Sequence, residues 1–167
     1  MIDIRRQWLS VAPWEKVARV NAQQCRAQNV PCEQRPDRLE QARRLWQQAY
    51  PRLLSLREAL DVCRQCCELA PFVFNNGNTF GAISHLLIED CLRPLSPLER
   101  QIVLSTVSHY VNGIARRGEL RKVLRHFGPK CVVPDAARAP EGIKPPAPVP
   151  TPDSPPAPKG SLTVPSK

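Results

Sequence analysis

The stretch best suited to chemistry is Phe72–Leu92, FVFNNGNTFGAISHLLIEDCL, in which an apolar approach meets Asn75, Asn76, Gly77 and Asn78 before a helical pattern begins. Asn and Gly tolerate left-handed backbone and bond locally, so the chain is expected to turn sharply here and launch a helix at Thr79 or Phe80. A turn that feeds a helix leaves backbone N–H groups pointing outward, with the helix dipole behind them. Gly77, Asn78 and Thr79 are therefore candidates for docking a phosphate or carboxylate, and the amides of Asn75 and Asn76 offer further donors. The competing reading is structural. Asn76 and Gly77 would supply positive φ, Asn78 or Thr79 would cap the helix, and Phe72, Phe74 and Phe80 would be core around a tight connection.

The run Phe74-Asn75-Asn76-Gly77-Asn78 resembles the Phe-x-x-Gly-Asn portion of the Fic-domain motif of nucleotidyltransferases. The resemblance covers one turn. Phe72 stands where that family carries its catalytic His, and Thr79 and Phe80 stand where it carries Gly and Arg. What the resemblance implies is at most a residual phosphate-binding turn with the transfer activity lost, and no membership is drawn from five positions.

Cys63, Cys66 and Cys67 have the look of a metal or redox site, but Cys63 and Cys67 stack on one side of a helix. Zinc needs a second ligand pair alongside, and Cys25, Cys32, Cys91, Cys131, His85 and His109 are scattered, so these thiols read as small hydrophobes and no metal is assigned. His85 is expected on an outer face near Glu89, and His109 beside Ser105 and Ser108 as an ordinary half-buried histidine. A Ser and a His on one helix do not make a triad, because nucleophile, base and orienting acid must converge. No catalytic residue and no cofactor is assigned.

The arginines carry more information. Arg35, Arg38, Arg43, Arg44, Arg52 and Arg57 crowd one helical segment and its exit, while Arg116, Arg117, Arg121, Lys122, Arg125 and His126 decorate another. Planar guanidinium groups suit phosphate and carboxylate, which makes Arg38, Arg43, Arg44, Arg116, Arg117, Arg121, Lys122 and Arg125 candidate contacts for DNA, RNA or an acidic protein. A solvated basic face is the alternative, and no zinc finger or aromatic RNA-binding signature selects a base-reading mode.

Six helical patterns must position these groups. The first starts at Pro13 and ends before Pro31, with a loop from Asn29 to Pro36; the second opens at Pro36 and Asp37 and stops at Pro51. Ser55 with Glu58 forms a capping box for a third helix that buries Leu56, Leu60, Cys63, Cys67 and Ala70 and closes at Pro71. The fourth places Phe80, Ile83, Leu87 and Cys91 inward. Ser96, Pro97 and Glu99 start a fifth helix to Asn112 whose apolar residues leave only a narrow polar strip of Gln101, Ser105, Ser108 and Asn112, a pattern expected of a central helix. The sixth carries Leu120, Val123, Leu124 and Phe127 and ends at Gly128 and Pro129.

The fold expected is an all-α compact bundle of five to six helices over residues 1–128. A disordered, Pro-rich tail is expected over 129–167, which holds 12 of the 19 prolines. The formal charge of +9, from 24 Lys and Arg against 15 Asp and Glu, favours anionic partners. Seven Cys without loop-rich spacing suggest reduced thiols in a cytoplasmic protein, and no apolar run reaches signal-peptide or membrane-spanning length. The functional expectation is a non-catalytic, basic helical module that contacts nucleic acid. Two other readings stay open: an adaptor joining protein partners through the tail and a groove beside the fifth helix, and a small-anion or nucleotide site or enzyme at Asn75–Thr79 and His109.

Overall fold

Proline and capping residues set the helix boundaries. The structure, a computed structural model, describes residues 4–131. It contains α1 (Trp14–Ala27), α2 (Pro36–Ala49), α3 (Leu56–Leu69), α4 (Asn76–Ile88), α5 (Pro97–Val111) and α6 (Arg117–Phe127), with short 3-10 turns at Trp8–Val11, Glu89–Leu92 and Gly128–Lys130. The expected all-α fold is what the chain adopts. The expected tail lies outside the described residues except for its first three positions.

Both predicted capping boxes form. Ser55 N–H donates to the Glu58 carboxylate at 2.7 Å and Ser96 N–H to Glu99 at 3.0 Å, while each serine hydroxyl accepts the N–H of its glutamate. Such caps are worth about 0.5–2 kcal/mol each. Two isolated antiparallel bridges, Arg6 with Leu54 and Gln34 with Phe72, staple the non-helical segments to one another, and no strand occurs among the described residues.

The core begins with an aromatic quartet. Trp14 meets Trp46 edge-on at 6.2 Å and stacks on Phe72 at 6.5 Å, and Phe80 lies 6.5 Å from both Trp46 and Phe72. Such pairs add about 0.5–1.5 kcal/mol each beyond their buried area. The indole N–H of Trp46 is satisfied by the Ala12 carbonyl at 3.0 Å.

Three expectations are corrected. The central helix is α4, which packs on α1, α3 and α5. On α5, Leu98 and Ile102 stay 69% and 42% exposed, because α3, α4 and α6 cover only part of its circumference. On α3 the buried thiols are Cys63 and Cys66, with Cys67 at the margin beside Asn112 and Ala70 acting as a left-handed C-cap (φ 49°). Finally, α4 starts at Asn76 rather than at Thr79 or Phe80.

Small residues explain how α4 sits so close to α5. A Cβ at Gly77 would overlap the Asn112 side-chain oxygen, and one at Gly81 would lie 3.1 Å from Ser108 Oγ. Gly77 and Gly81 are four residues apart, as are Ser108 and Asn112, so the pairs line up along one seam. The strip read as polar surface on α5 is thus partly a helix–helix interface.

Candidate anion-binding surfaces

The Asn/Gly turn is built from within. Asn75 is its left-handed residue (φ 63°), and Asn76 folds back so that its side chain accepts from Phe72 N–H at 3.0 Å and donates to Phe72 O at 2.7 Å. Gly77 lies inside the helix; it supplies close approach to Asn112, not positive φ. Asn78 donates to Asn75 Oδ1 at 3.1 Å, and Asn75 donates to Cys25 Sγ at 3.7 Å. Thr79 is buried, its hydroxyl accepting from Asn21 Nδ2 at 3.0 Å, while Asn21 also donates to Phe74 O at 2.9 Å. Each side-chain amide of Asn75, Asn76 and Asn78 donates one bond within the protein. The Thr79 N–H donates to Asn75 O at 2.8 Å, so what the turn offers an anion is the backbone N–H groups ahead of Thr79.

Asn21 is the residue that sequence reading missed here. It lies at helical spacing with Trp14, Val17 and Cys25, all buried on α1, and a buried Asn at such a position signals a bonded partner elsewhere.

His85 does not face outward as expected. Its Nε2 lies 3.0 Å from Leu104 O and 2.9 Å from Ser108 Oγ on α5. A carbonyl only accepts, so Nε2 carries the proton and donates to Leu104 O. In that tautomer the ring has no lone pair toward Ser108, and the pair is unfit to activate a serine nucleophile. His109 is exposed rather than half-buried, on the other side of the helix from the buried Val103 and Val107.

The basic residues fall on two helices with different neighbours: α2 packs on α3 and α1, and α6 packs on α5. On α2, Arg38, Arg43 and Arg44 are exposed, and Arg44 pairs with Glu40 at 2.8 Å. On α6, Leu120, Leu124 and Phe127 are buried against the bundle, while Arg116, Arg117, Arg121, Lys122 and Arg125 are exposed. Arg117, Arg121 and Arg125 recur every four residues and so share a stripe. Arg117 is engaged: it meets Asp61 of α3 at 2.7 Å. The same Asp61 accepts from the Tyr110 hydroxyl, whose pKa is raised first by burial and then by that bond. Arg38, Arg43, Arg121, Lys122 and Arg125 make no ion pair among the described residues.

The α3 thiols are held neutral. Burial, then the neighbouring Cys67, pushes Cys66 up to about 12; burial, then Glu68, pushes Cys67 up to about 11; Cys63 is raised well above its ordinary value, chiefly by burial. Among the described residues no three His, Cys, Asp or Glu side chains converge as a metal site, and no helix is long and apolar enough to cross a membrane.

Compared with protein-family models, with curated proteins and with solved structures, the chain matches none of them.

Proposed function

We propose that the protein is a non-catalytic nucleic-acid-binding module whose principal contact is the outer face of α6. The observation that supports this reading is a short helix with its apolar side seated in the core and Arg121, Lys122 and Arg125 projecting without intramolecular ion pairs among the described residues. Three such cations on one turn and a half of helix suit successive backbone phosphates, and binding there releases condensed counterions. The exposed arginines of α2 extend the basic surface to a second helix.

Fluorescence anisotropy with labelled duplex DNA, duplex RNA and single strands tests this. Binding is expected to weaken steeply with salt, and the slope of log K against log[salt] should become shallower by about 0.9 for each duplex phosphate that is no longer neutralised. Arg121→Glu, Lys122→Glu and Arg125→Glu together should reduce that slope by roughly 3 and abolish binding at physiological salt. Nuclease-treated protein that binds none of these probes at low salt overturns the proposal.

A second reading is favoured by a different observation. Leu98 and Ile102, 69% and 42% exposed, lie four residues apart on α5, which suits a helical adaptor with a protein partner on that face. Leu98→Glu with Ile102→Lys should remove such a partner while leaving nucleic-acid binding intact.

A further inference from the structure

The segment before α1 lines an open cavity of about 350 Å³, bounded by Arg5–Trp8, Ser10 and Val11, by Leu53 of the α2–α3 connection, by Leu86 and Leu87 at the end of α4 and by Asp90 just after it. Its volume falls within the ordinary range of small-ligand sites. On its wall the Arg6 guanidinium lies 3.5 Å above the Trp8 ring. Two donors in this pair are stranded: Arg6 Nε and Trp8 Nε1 are both buried with no hydrogen-bond partner, and Trp8 is 1% exposed.

The surrounding charges are otherwise accounted for. Arg5 pairs with Glu58 at 3.1 Å, and Asp90 pairs with Arg93 at 2.6 Å. Arg6 has no carboxylate among the described residues. Its Nη2 reaches only Leu87 O at 3.4 Å, long for a charged donor, and the weak acceptor Cys91 Sγ at 3.7 Å. Capping the carbonyl end of α4 accounts for that nitrogen and for none of the others. Buried donors without acceptors are rare in folded proteins, and two of them beside such a cation on a cavity wall define a place for an acceptor with negative charge.

We propose that this cavity binds a small organic carboxylate, its oxygens taken by Arg6 and the Trp8 indole N–H and its apolar body lying against Leu53, Leu86 and Val11. Carboxylate is favoured over phosphate because one planar guanidinium fork matches two coplanar oxygens, and because Val11, Leu53, Leu86 and Leu87 give the wall an apolar side for an organic body. Leu53 and Val11, 60% and 45% exposed, form the rim. Both nitrogens are buried in the free protein, so binding requires Arg6 to move off the Trp8 ring and admit the ligand.

The test uses the full chain with octanoate and benzoate as probes, and with octanol, benzyl alcohol and inorganic phosphate as controls. The carboxylates should raise the melting temperature in a saturable way, and neither the neutral analogues nor phosphate should match them. In ¹⁵N spectra of the indole N–H groups, the Trp8 resonance, assigned with Trp8→Phe, should move on titration. The Trp46 resonance, already bonded to Ala12, should not. Arg6→Met should abolish the response and Arg6→Lys should weaken it by about tenfold or more. Because Arg6 also touches α4, Leu53→Glu provides a variant at an exposed position; it should weaken carboxylate binding by about tenfold without altering the melting temperature of the free protein. Equal responses to acid and alcohol, an unmoved Trp8 resonance at saturation, or binding indifferent to both Arg6→Met and Leu53→Glu would each overturn the assignment.

Discussion

At the scale of single residues, environment separates groups that look alike in the sequence. Cys32 is exposed, whereas Cys63 and Cys66 have no exposed surface. Only the thiolate reacts, and burial disfavours it. Burial and then Cys25 raise the Cys32 thiol too, but it is the accessible one, so iodoacetamide at pH 8 is expected to label Cys32 first and to leave Cys63 and Cys66 unmodified until the protein is denatured, as mass spectrometry of tryptic peptides would show. Rapid native labelling of Cys66 would contradict its pKa of about 12. Asn75, Asn76 and Asn78 make a related point. Their types announced a turn, yet nothing in residue type reveals that Asn76 spends both ends of its amide on Phe72 or that Asn78 is tied to Asn75. Those bonds depend on where a left-handed residue falls, and the knot offers three Asn for that one role.

Among the elements, the seam between α4 and α5 makes the sharpest demand. In an isolated helix Gly→Ala gains about 1 kcal/mol. At Gly77 the added methyl overlaps the Asn112 side chain, whose Nδ2 is bonded to Ser108 O at 2.9 Å. We expect Gly77→Ala to yield less than the intrinsic gain in the native background and to recover it with Asn112→Ala. The coupling should be about 0.5–1.5 kcal/mol by urea denaturation of the four-member cycle. Additive effects would mean that the two positions do not touch. Helix positions were legible because prolines, capping boxes and glycines act locally: Ser55 with Glu58, Ser96 with Glu99, and Gly113, whose φ of 76° closes α5. Which helix is central was not legible. The wide apolar girth of α5 suggested it, but α4 is brought to the centre by its smallness at Gly77 and Gly81, and hydropathy does not register small size. His85 was misplaced for a different reason: its partner atoms belong to α5, 19 and 23 residues away.

For the whole molecule, the two capping acids make acid stability a shared property of α3 and α5. Glu58 is lowered first by the Ser55 backbone bond, and Glu99 is lowered to about 2, first by Lys130 and then by Ser96. A carboxylate whose folded pKa lies below its unfolded value stabilises the fold above the unfolded value, and that contribution is lost as pH falls toward the folded one. From the ordinary value of 4.5 down to about 2 the melting temperature should therefore drop, and Glu58→Gln with Glu99→Gln should flatten the drop in circular-dichroism melts. A wild-type melting temperature constant across that interval would refute the linkage. The same long-range wiring governs the first segment of the chain: Trp46 reaches back 34 residues to Ala12, and Arg6 reaches forward 81 residues to Leu87. During synthesis at about 5–20 residues per second, Arg6 waits roughly 4–16 s for the turn of α4 that it will cap. The earliest of these residues to leave the ribosome is thus among the last to meet its helix-end partner.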